Sequence, residues 1–91
     1  MATRTPYWIV RYHRDLEKEV SVLPKPYPAR ILEKIESFVE DPRPIGAKKL
    51  SGTELWSVRV GIYRILYTID EERRLVETFR VGHRRDVYRG L

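Results

Sequence analysis

The side chains best suited to chemistry gather in the last third of the chain: Arg59, Tyr63, Arg64, Tyr67, His83, Arg84, Arg85 and Tyr88. Arginine keeps its charge and presents a planar fork that matches phosphate oxygens. It also stabilises the charge that builds up when a phosphodiester is attacked. Tyrosine rings stack on unpaired bases. The set therefore suits RNA phosphodiester chemistry driven by charge. Two of its members have a competing use, because Tyr63 and Tyr67 share a strand face with Ile65 and Ile69 and would serve a core equally well. Trp8 and Trp56 read as core. Arg64 differs: a charge between apolar neighbours on a strand has to face a solvated or anionic groove.

Other chemistries lack their residues. No glycine-rich loop precedes a helix, so a nucleotide cradle is unsupported. There are 2 histidines, His13 and His83, without partners at ligand spacing, and no cysteine. Thiolate metal sites, disulfides and a thiol nucleophile are excluded, and neither a metal nor a cofactor is expected. Asp70, Glu71 and Glu72 are consecutive and read as a solvated turn rather than a cation site. The chain has 91 residues, 42% of them apolar, which is material for one domain over 1–91. Its 18 Lys+Arg exceed 13 Asp+Glu by +5. Residues 1–45 hold 8 basic and 7 acidic side chains, and residues 46–91 hold 10 and 6, so the second half carries a net of +4. A polyanionic partner is expected there, nucleic acid most simply. Arg4 and Arg11 interrupt any signal-like apolar stretch, and no run is long enough to span a bilayer, which predicts a cytoplasmic protein without membrane contact.

The elements that must position these residues follow from periodicity. Residues 5–12 alternate with β-branched and aromatic types, as in a strand. Leu16, Val20 and Leu23 then fall at helical spacing, and Pro24 and Pro26 stop that helix. A second helix starts near Tyr27 with Pro28 in its first turn, its apolar stripe formed by Ile31, Leu32, Ile35, Phe38 and Val39. Residues 41–44 (Asp-Pro-Arg-Pro) end it. Residues 55–60 form a strand with Trp56, Val58 and Val60 on one face and Ser57 and Arg59 on the other. Gly61-Ile62 turns into a strand over 63–70, and the polar tip 70–73 leads to a returning strand over 75–81. The tail, 82–91, is too short and too basic for a core element. The order is β-α-α-β-β-β: an α+β domain whose antiparallel sheet is covered on one face by a helical hairpin. The other face, with Arg59, is left open.

Two signals together carry a family likeness. Residues 50–67 contain a G-x-Y-R-x-x-Y strand through Gly61, Tyr63, Arg64 and Tyr67, and residues 81–89 contain an H-R-x-x-V-Y tail. With the element order and the Asp-Pro-Arg-Pro stop before Lys48-Lys49-Leu50, they make nearly the whole chain resemble the RelE branch of the RelE/ParE toxin superfamily. That likeness implies the microbial-RNase-like RelE fold. It further implies a type II toxin–antitoxin toxin that cuts translated mRNA in the ribosomal decoding site by metal-independent 2′-hydroxyl attack. The partners implied are the ribosome, mRNA and a RelB-like antitoxin, with a monomer expected when free. The catalytic positions implied are Arg59, Arg64, Arg84 and Tyr88, with His83 as a proton-exchange candidate; Lys48, Lys49, Arg85 and Arg89 are candidates for RNA or ribosome binding. Ser57 departs from the pattern, which has a basic residue there, and leaves the general base open, since arginine is a poor proton acceptor.

Two rival functions remain. A ParE-like toxin would poison DNA gyrase on the same fold, although the joint presence of Arg59, Arg64, Arg84 and Tyr88 favours a ribonuclease. A catalytically degenerate module would dock on RNA or the ribosome without cutting.

Overall fold

A computed structural model describes residues 7–83 and 86–89. The chain runs β1 (Ile9–Tyr12), α1 (Leu16–Ser21), α2 (Tyr27–Ser37), β2 (Lys48–Lys49), β3 (Trp56–Val60), β4 (Tyr63–Asp70) and β5 (Leu75–His83). Five strands form one sheet in the order β1-β5-β4-β3-β2. Pairing is antiparallel from β3 through β5, as expected, and β2 pairs with β3 antiparallel as well, but β1 joins β5 in parallel. The first strand thus sits beside the last, with the helical hairpin crossing one face in between. β2 is an addition: two lysines pair with Trp56 and Ser57, too brief a segment to leave a periodicity.

Alternation decides which face each strand residue takes. Val58, Tyr63, Ile65, Tyr67, Val76 and Val81 face the helices and close a core with Leu16, Val20, Ile31, Ile35 and Phe38. Leu32, expected on the α2 stripe, is exposed instead. Tyr63 and Tyr67 are core side chains. Tyr63 meets Tyr27 edge-on with ring centroids 4.8 Å apart. Tyr67 stacks on Phe38 at 4.3 Å, and its hydroxyl donates to the Pro42 carbonyl at 2.7 Å. The Asp-Pro-Arg-Pro stop is thereby fastened to the sheet, and Arg43 adds to the tie by lying 5.2 Å over the Trp56 ring and pairing with Glu71.

The helix-free face is not wholly open. Register puts Lys48, Ser57, Leu66 and Arg80 in one row across it, with Arg59, Arg64 and Gly82 in the next. Ser57 and Leu66 are nonetheless buried, as is Val87 from the tail. Residues 86–89 form a turn whose Asp86 and Val87 amides donate to the His83 carbonyl, each at 2.9 Å. The tail supplies no core element, as expected, but one of its apolar residues, Val87, is buried where Gly82 leaves room for it.

Candidate functional site

The second row borders a cleft of about 380 Å³ lined by Lys34, Ile45, Gly46, Lys48, Val58, Arg59 and Arg64. Local sequence explains why it opens. Pro44 accepts the Ala47 amide at 3.0 Å, and Gly46 takes a left-handed φ of 94°. The loop so formed bends away after only two ladder pairs with β3, which frees the β3 edge beside Val58 and Arg59. Lys34 reaches the same space from α2. Four cationic side chains therefore share one cleft, and its lining contains no carboxylate and no histidine. None of the four belongs to an ion pair among the described residues. Like charges this close repel one another, and an anion entering the cleft relieves that repulsion.

The expected site residues separate into groups. Arg59, Arg64 and Lys48 line the cleft. Lys49 does not: it pairs with Trp56 in register, one residue out of phase with Lys48, and its ammonium lies 3.7 Å from Glu54. Arg89 is exposed and paired with Asp86 at 3.5 Å. Tyr88 is half-buried next to the anchored Val87. Arg84 and Arg85 lie outside the described residues.

His83 lies on a different face from the arginine row. The strand continues past Val81, so His83 falls opposite Tyr63 on the helix-covered side, with their rings edge-on at 6.5 Å. Arg64 lies opposite Gly82 and faces the other way. The sheet thus divides His83 from the arginines it was expected to serve. Lys34 was missed. Its helical phase beside Glu33 and Glu36 marks it only as solvent-facing, and nothing in the linear sequence tells that the 44–47 loop bends to meet it. Among the described residues no cluster of three or more histidine, aspartate or glutamate side chains could hold a metal ion.

Fold and cleft together define a small two-layer α+β domain with a site built from arginine and lysine. Residues 10–88 match the family described as the ParE toxin of the type II toxin–antitoxin system parDE. The chain is 38% identical over 84 residues to toxin RelG of Mycobacterium tuberculosis, an overlap of 84% of this chain and 85% of the relative. Among solved structures, the archaeal RelE–RelB complex of Pyrococcus horikoshii aligns with a TM-score of 0.76 at 26% identity, covering 86% of this chain and 96% of that one. The toxin–antitoxin complex RelBE2 of Mycobacterium tuberculosis aligns at 0.71 and 28%, covering 86% and 99%. This chain belongs to the RelE/ParE family of type II toxin–antitoxin toxins, and its fold is the RelE fold.

Proposed function

We propose that the protein is a ribosome-dependent mRNA endoribonuclease whose activity is restrained by a RelB-like antitoxin. The carrying observation is the carboxylate-free cleft shared by Lys34, Lys48, Arg59 and Arg64. In the reaction, a ribose 2′-oxygen bonds to the adjacent phosphorus and the 5′-oxygen of the next nucleotide leaves. The products are a 2′,3′-cyclic phosphate and a 5′-hydroxyl. Negative charge on the phosphoryl oxygens peaks in the transition state, where fixed cations stabilise it more than they stabilise the substrate. Arg59 and Arg64 supply that charge, Arg84 is assigned to the same phosphate, Tyr88 stacks on or orients a base, and Lys34 and Lys48 draw the backbone in. Arginine stays protonated and the cleft lining has no histidine or carboxylate, so proton transfer falls to water or to groups the ribosome brings. A cleft that stabilises charge without its own base fits an enzyme that works only on that assembly.

The antitoxin reading draws on the two complexes above, in which a toxin of this fold is bound to its RelB-type partner. The family's ParE description favours a second reading, inhibition of DNA gyrase. Mapping mRNA ends in a cell-free translation reaction, with gyrase supercoiling assayed in parallel, separates the two. Ribosome-dependent cuts with gyrase unaffected support the nuclease, whereas intact mRNA with inhibited supercoiling selects the gyrase reading.

A further inference from the structure

The tail turn is held by more than its buried valine. Arg80 lies on β5 two residues before Gly82, so both face the helix-free side. From one nitrogen, Nη1, Arg80 donates to the Val87 carbonyl at 2.9 Å and to the Arg89 carbonyl at 2.6 Å. Val87 packs over Gly82, its Cβ 3.7 Å from where a β-carbon on that glycine would lie. Gly82 is the register partner of Arg64. Tyr88 thus sits between two backbone carbonyls gripped by a single guanidinium, one strand away from a cleft arginine.

We infer that Arg80 is a positioning residue, holding the 86–89 turn so that Tyr88 is presented beside the Arg59–Arg64 row. Both protons of its Nη1 go to carbonyls of the turn, and Arg80 is not among the residues that line the cleft. The role of the turn in activity rests on the nuclease reading; the grip itself does not. Charge-assisted bonds to two carbonyls of one turn restrain its backbone more than an apolar contact alone can. Met has a similar reach without donors, whereas Lys keeps charge and donors but lacks the rigid fork.

The test uses the full chain as wild type, Arg80→Met, Arg80→Gln and Arg80→Lys, with two readouts. In Arg80→Met, amide hydrogen exchange at Val87 and Arg89 should accelerate by at least about tenfold, while the β4 amides stay protected. In ribosome-programmed cleavage, kcat should fall by about tenfold or more, with KM for ribosomes changed by less than about threefold. Arg80→Lys should recover part of both losses, and Arg80→Gln replaces Arg80→Met if the latter does not fold. Unchanged exchange at Val87 and Arg89 overturns the proposal even if cleavage falls. A raised KM with preserved kcat also overturns it, because that is the signature of a phosphate ligand. If the wild type cuts no mRNA, the nuclease reading fails on its own and the exchange readout alone decides the grip.

Discussion

Four cations converge where the β3 edge is freed. Arg59 and Arg64 occupy one cross-strand pair, so under the proposed nuclease reading removing either leaves a gap in the charge offered to the phosphoryl oxygens. Arg64→Ala should lower the cleavage rate by about a hundredfold, the usual scale for losing one preorganised donor to a developing oxyanion. Lys34→Ala should act through binding: affinity for RNA weakens and the slope of log K against log salt becomes shallower by about one. His83→Gln should leave cleavage near the wild-type rate, measured on programmed ribosomes, because the sheet separates it from the arginines. Arg64 was legible in the sequence since a charge among apolar strand residues has few places to go. The face of His83 was not, because it depends on β5 running two residues beyond the last clear alternation.

At the scale of elements, β4 could be read to the residue from its alternation and turn signals, while β1's parallel partner and the two-residue β2 could not. Both depend on contacts between segments far apart in the chain, which no local period encodes. The β3–β4 turn shows how sharply one position is constrained. Gly61 has φ of 62°, and a β-carbon there would lie 2.6 Å from the Tyr27 ring. Gly61→Ala should therefore cost about 1–2 kcal/mol from the left-handed backbone alone, with the clash against Tyr27 in addition. Denaturant unfolding monitored by tryptophan fluorescence measures this. The bond from Tyr67 to Pro42 fastens the post-α2 loop that shapes the cleft. Tyr67→Phe should destabilise by about 1–2 kcal/mol, as an unpaired buried carbonyl is left behind. Burial holds the Tyr67 phenol above its usual value of 10.0, with nearby Arg43 opposing the rise and Asp41 adding to it. The folded state thus keeps a proton that the unfolded chain releases. Stability from this group is intact below pH 10.0 and is lost as pH rises through the higher folded-state value. A urea series above pH 10.0 should show a shallower decline in Tyr67→Phe than in the wild type.

Across the whole molecule, the +5 charge resolves into local arrangements with different uses. Arg11, Arg43, Lys49, Arg73 and Arg89 are paired with carboxylates. Arg80 grips the tail, and Arg74 lies 4.4 Å over Trp8. The four cations that line the cleft have no carboxylate partner among the described residues. Net charge alone led to the expectation of a polyanionic partner, and only the three-dimensional structure gathers these four cations into one cleft. The most direct measurement is primer-extension mapping of an mRNA translated in a reconstituted system, with and without ribosomes, by wild type and Arg64→Ala. We expect new 5′ ends at codon-related spacing only when wild-type protein and ribosomes are both present, and about a hundredfold fewer with Arg64→Ala. Ends that appear without ribosomes, or that persist undiminished in Arg64→Ala, would contradict a charge-driven, ribosome-dependent cleft.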